Sequence, residues 1–163
     1  MTEQFTGMDL INMAIDIEKT GIAFYDIMCT SSENEEARTA FRYLADMERR
    51  HERVFEEMLG KAGQFQSANP YGAERAAYIR SLVDSAVFSE ELLNSTMANR
   101  VSSDVDALEL AIGAEKDSLL FYYEMRDHVP ETDQQTVDTI IEEERGHLNQ
   151  ILELKKKLAV MNQ

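Results

Sequence analysis

Two stretches decide the fold: Phe41-Arg-Tyr-Leu-Ala-Asp-Met-Glu-Arg-Arg-His-Glu-Arg-Val-Phe55 and Val137-Asp-Thr-Ile-Ile-Glu-Glu-Glu-Arg-Gly-His-Leu-Asn-Gln-Ile151. In the first, positions 41, 44, 48, 51 and 55 step by three and four residues and so share one side of a helix. Phe41, Leu44 and Phe55 make that side apolar, yet Glu48 and His51 stand in its middle. A shift of 96 residues places Val137, Ile140, Glu144, His147 and Ile151 on the same pattern.

The other half of each repeat lies upstream. Segment 9–28 reads DLINMAIDIEKTGIAFYDIM and segment 106–125 reads DALELAIGAEKDSLLFYYEM. A shift of 97 superposes Glu18 on Glu115 and Tyr25 on Tyr122. Glu18 sits on a stripe with Leu10, Ile11, Ala14, Ile15, Ile22, Tyr25 and Met28, and Glu115 sits among Leu108, Ile112, Leu119 and Tyr122. The chain therefore reads as two helical hairpins, an all-α four-helix bundle rather than a solenoid, since two copies are too few for one. The periodicity predicts helices over 7–30, 35–61, 105–127 and 132–159. Ser32 with Glu35 reads as a capping box for the second, and Ser103 or Asp104 as the start of the third. Lys155, Lys156 and Lys157 lie near the negative end of the fourth. Between the hairpins, 60–71 reads as a loop and 73–98 as an extra helix in a long crossover. Its apolar side would use Ala77, Ile79, Leu82, Val83, Ala86, Leu92 and Leu93.

Composition agrees. The 163 residues fit a single domain over 1–163, and 44% hydrophobic residues suffice for a core at that length. Two prolines and seven scattered glycines favour helix. A net charge of −15 repels nucleic acid and anionic lipid, so neither is expected as a partner. The one cysteine, Cys29, excludes an intramolecular disulfide framework and a cysteine-built metal site, and reads as an inert core or helix-end residue. No basic leader and no run of about 18 apolar residues is present, so a soluble, cytoplasmic location is expected.

Six ionisable groups thus aim at one core: Glu18, Glu48, His51, Glu115, Glu144 and His147. Buried unpaired carboxylates are costly. Two divalent cations would balance the four negative charges, and a neutral histidine would add one nitrogen to each. One Glu from each of two helices plus Glu-x-x-His from each of the others is the ligand pattern of di-iron and di-manganese bundles. Glutamate is 20 of 163 residues, so one such pair means little. Two pairs on matching stripes of matching repeats mean far more. The alternative is a bundle whose polar core groups only hydrogen-bond one another. Tyr25 and Tyr122, on the same faces, can hydrogen-bond the carboxylates or serve as core residues. Glu143 reads as a solvated glutamate in preference to one orienting a histidine across the bundle, and His128 as exposed. The nine methionines read as gap-fillers.

IEKTGIAFY around Glu18, MERRHERVF around Glu48 and His51, AEKDSLLFYYEM around Glu115 and EEERGHLNQI around Glu144 and His147 resemble rubrerythrin-type members of the ferritin-like superfamily. The resemblance implies two iron ions (manganese and zinc accept similar ligands), with Glu48 and Glu144 bridging and Glu18 and Glu115 terminal. It implies reduction of hydrogen peroxide or dioxygen, the four glutamates carrying the catalysis, or else ferroxidase chemistry with iron as substrate. A non-enzymatic acidic bundle is the third reading. Two departures matter. Rubrerythrins carry a rubredoxin domain with two CxxC pairs, absent here, so a separate electron-donor protein is expected. They also carry a glutamate three residues after the third-helix ligand, where this chain has Ser118. In that respect the set resembles a bacterioferritin ferroxidase centre. The enlarged crossover and short tail speak against a bacterioferritin-like storage cage, and the resemblance to rubrerythrins implies a homodimer.

Overall fold

The structure is a computed structural model that describes residues 6–62, 73–85 and 101–161. Its helices are α1 (Gly7–Ser31), α2 (Glu35–Ala62), α3 (Ala73–Asp84), α4 (Asp104–Arg126) and α5 (Glu131–Met161). No strand occurs among the described residues.

Local chemistry sets the helix ends. Thr6 caps α1 reciprocally: its hydroxyl accepts from the Asp9 amide at 3.3 Å, and Asp9 accepts from the Thr6 amide at 2.6 Å. Ser103 caps α4 by accepting from the Asp106 amide at 3.1 Å. The expected capping box at α2 is corrected. Asn34 accepts from the Ala37 amide at 3.0 Å, while Ser32 donates its hydroxyl to Asp104 at 2.6 Å. Asp104 also accepts from the Asn34 amide at 3.1 Å, so the α1–α2 turn is fastened to the start of α4. The α5 lysines lie more than a turn before its end, and Lys155 and Lys157 pair with Glu109 and Glu36 instead.

Helix α1 packs mainly on α2 and α4 mainly on α5; α1 meets α4 and α2 meets α5 across the centre. Two apolar layers result. One gathers Leu10, Ile11, Phe55, Tyr122, Met125 and Ile140, and the other Phe24, Tyr25, Phe41, Leu44, Leu108 and Ile151. Ile22, expected in the stripe, is half-buried, and half-buried Cys29 packs against the second layer. Helix α3 rests on α4 through Ala76 and Ile79; Ala77, assigned to its apolar side from sequence, is exposed. The helix expected over 73–98 ends sooner, at Asp84, with Ser85 in a turn, and residues 86–98, with Ala86, Leu92 and Leu93, lie outside the described residues. The chain is a helical bundle of two hairpins. No helix among the described residues is long and apolar enough to cross a membrane.

Candidate metal centre

The polar positions fall between the two apolar layers because each interrupts its helix's stripe near the middle. All six are buried, none more than 5% exposed. They form two overlapping groups, Glu18–Glu48–His51–Glu144 and Glu48–Glu115–Glu144–His147. Within each group one potential ligand atom per residue lies within 4.8 Å of the others. Glu48 and Glu144 belong to both groups, while Glu18 and Glu115 each belong to one.

Nδ1 of His51 faces the carboxylates, 2.9 Å from Glu144 Oε1, 3.5 Å from Glu48 Oε2 and 3.8 Å from Glu18 Oε2. Nδ1 of His147 lies 3.0 Å from Glu144 Oε2. The two imidazoles stack with ring centres 5.7 Å apart. Glu18 Oε2, His51 Nδ1 and Glu144 Oε1 are buried and make no well-directed hydrogen bond among the described residues, the last two having only their contact with each other. Buried polar atoms are seldom left so. Three such atoms converging from three helices fit a cation, and carboxylate oxygen with imidazole nitrogen suits iron, manganese or zinc.

The sequence model of the rubrerythrin family matches residues 9–155. This chain belongs to the rubrerythrin family. It is also similar to a Thermotoga maritima protein of known crystal structure, assigned to the ferritin-like diiron-carboxylate proteins. The two share 28% identity over 94% of this chain and 97% of the other, with a TM-score of 0.70. No curated protein matches the sequence.

Around the centre of this rubrerythrin-family chain, both tyrosines act on the carboxylates. The Tyr25 hydroxyl donates to Glu115, and the Tyr122 hydroxyl donates to Glu18. Each bond crosses from one hairpin to the other. Burial, reinforced by the neighbouring carboxylates, pushes both hydroxyls well above the usual tyrosine range, so they stay protonated donors. Removing one hydroxyl leaves a desolvated carboxylate oxygen. We expect Tyr122→Phe to cost about 1–3 kcal/mol, read as a lower thermal midpoint with the helical signal retained. An unchanged midpoint would show that the bond contributes no net stability.

Burial also lifts the Glu18 and Glu115 carboxyls well above their ordinary range, and Glu48 and Glu144 add to the effect. Glu144 goes the other way. Burial opposes its charge, but His147 and His51 beside it hold it well below the usual range. Burial also opposes a charge on His51, yet the adjoining Glu144 and Glu48 outweigh it and push the imidazole up to about 10.

Glu143, assigned to solvent from sequence, is corrected. Its Oε2 lies 2.9 Å from His51 Nε2, and its Oε1 accepts from Arg50 at 2.7 Å. Arg50 had no signal of its own: a helical period relates residues of one helix, and this contact joins α2 to α5. His128, expected to be exposed, is half-buried, with its imidazole 3.8 Å from Glu124. Ser118 lines a small void beside the centre, with Gly21, Tyr25, Glu48 and Glu115. A second pocket, more apolar, adjoins Ser118 from the α3 side through Leu82 and Val83.

Proposed function

We propose that this chain is a di-iron oxidoreductase of rubrerythrin type that reduces hydrogen peroxide or dioxygen. The observation that carries the reading is the pair of overlapping Glu/His groups sharing Glu48 and Glu144. Two iron ions held there would supply the two electrons that reduction of the oxidant needs. The side chains divide the remaining work. Glu48 and Glu144, common to both groups, would help to hold both ions, while Glu18 and Glu115 would each help to hold one. His51 and His147 would add a nitrogen each. Tyr25 and Tyr122 keep their protons and hold the outer carboxyl groups in place by donating O–H hydrogen bonds to them. The void at Gly21 and Ser118 reaches Glu48 and Glu115 and is about the size of one water molecule. The electron donor would be a separate protein and the assembly a homodimer, which sedimentation would check.

The test is to load the chain with ferrous iron without oxygen, then compare its oxidation by hydrogen peroxide and by air. Oxidation with iron retained, followed by re-reduction by an added donor, is the expected result. Iron that leaves the site on oxidation would establish the ferroxidase reading instead. Ser118 favours that second reading, because it stands where a seventh carboxylate would receive a shifting ion.

That position yields a prediction. Ser118 lies one turn after Glu115 and lines the same void. We expect Ser118→Glu to place a carboxylate against the centre and favour its more highly charged oxidised form. The reduction midpoint should fall by tens of millivolts, ~59 mV for each tenfold gain in ferric over ferrous preference. Redox titration and a crystal structure of the oxidised variant check it. An unchanged midpoint, with the carboxylate turned away, would remove Ser118 from the site.

A further inference from the structure

We infer that the two metal positions are unequal: the one at His51 binds tightly and the one at His147 weakly. This rests on the two-metal reading above and concerns residues that flank the ligands. The repeat that carries His51 onto His147 also carries Met47 onto Glu143 and Arg50 onto Gly146. The tyrosines obey the repeat, each donating to the opposite hairpin's glutamate. The groups behind the histidines do not.

Behind His51, Glu143 is anchored at both oxygens, one 2.9 Å from His51 Nε2 and the other 2.7 Å from Arg50. Behind His147, the equivalent of Glu143 is Met47, which carries no carboxylate. The equivalent of Arg50 is Gly146, where an added Cβ would meet nothing within 4 Å. His147 Nε2 is buried and has no hydrogen-bond partner among the described residues. Its ring has instead the half-exposed Tyr43 edge-on, with centroids 6.1 Å apart.

Both histidines present Nδ1 to the carboxylates, so a metal bound there requires the ring proton on Nε2. At His51 a carboxylate accepts that proton. It fixes the tautomer and the ring, and makes Nδ1 a stronger donor. At His147 the arrangement suited to the protein alone is a proton on Nδ1 directed at Glu144. At either histidine a metal takes the place of the proton on Nδ1; at His51 the Nε2 proton is then held by Glu143, and at His147 no described residue accepts it. An outer hydrogen bond of this kind typically changes metal affinity 10–100-fold. The chain thus pairs one resident position with one exchangeable position.

The test uses cobalt(II) and the full chain, first freed of metal by a chelator. Calorimetric titration should resolve two steps differing 10–100-fold. Crystals grown with one equivalent should show anomalous density at His51 and little at His147. Glu143→Leu should weaken the first step by a similar factor. Met47→Glu, a change at a half-buried position, should strengthen the second and leave the first alone. Equal density at the two positions, or metal first at His147, would overturn the inference while leaving the two-metal site intact. Failure to bind cobalt at all would overturn the site reading itself.

Discussion

The double substitution His51→Ala with His147→Ala should strip the protein of nearly all the metal that we expect the unaltered chain to retain, about two ions per chain. The expectation follows from the geometry: each imidazole turns Nδ1 toward the cluster of buried carboxylates. Losing a hydrogen bond to a ligand already costs a metal site roughly 10–100-fold in affinity. Losing the nitrogen ligand of both positions must cost more. Elemental analysis after anaerobic iron loading and desalting measures it, with circular dichroism as the check on folding. The fold should survive, since the apolar layers on either side of the centre are untouched. Full metal content in the folded variant would mean that the ligand assignment is wrong.

Removing the metal from the unaltered chain should have the second large effect. Four carboxyl groups then share one dry core with the two histidines and the two tyrosine hydroxyls. At a free metal concentration of a hundred times Kd, binding stabilises by about 2.7 kcal/mol per position, so two positions give about 5 kcal/mol. For a chain of this size that corresponds to a rise in Tm of roughly 10–20 °C.

The difference should also depend on pH, with a definite sign. Glu18 and Glu115 have raised folded pKa values, so above the ordinary 4.5 the unfolded chain sheds protons that the metal-free fold still holds. Stability is lost as pH rises through that interval. His51 acts in the same direction. Its contribution is whole below 6.5 and disappears as pH climbs through about 10. Glu144 opposes them only in strong acid, because its lowered pKa costs stability as pH falls below 4.5. The stripped protein should therefore be most stable near pH 5 and weaken toward pH 9. The loaded protein should hold its Tm over the neutral range, where metal replaces the protons. Calorimetric scans of both forms across pH 5–9 would show it. A metal-dependent Tm increment that shrinks with rising pH would contradict the burial of these carboxylates.

The hairpins and the six polar positions were legible in the sequence because helical periodicity and the repeat acted together. A charge on an apolar stripe is conspicuous, and the same charge on the matching stripe more so. Legibility ended where a residue's partner belonged to another helix. Ser32 satisfies the local pattern of a cap, but Asp104, 72 residues away, takes its hydroxyl. Glu143 looks solvated on its own helix, and only the approach of α2 brings His51 and Arg50 to it. Helix α3 failed differently. It is short and weakly amphipathic, so its pattern did not distinguish exposed Ala77 from buried Ala76.

The crossed tyrosine bonds have a further consequence for how the hairpins settle together. Apolar layers are tolerant of sliding, since one aliphatic surface resembles the next. The bonds from Tyr25 to Glu115 and from Tyr122 to Glu18 are not, and they run in opposite directions between the same two helices. Displacing one hairpin by a single helical turn, about 5.4 Å, would part both hydroxyls from their carboxylates at once. Together they work as a vernier, marking one alignment of the halves out of several that greasy contact alone would permit.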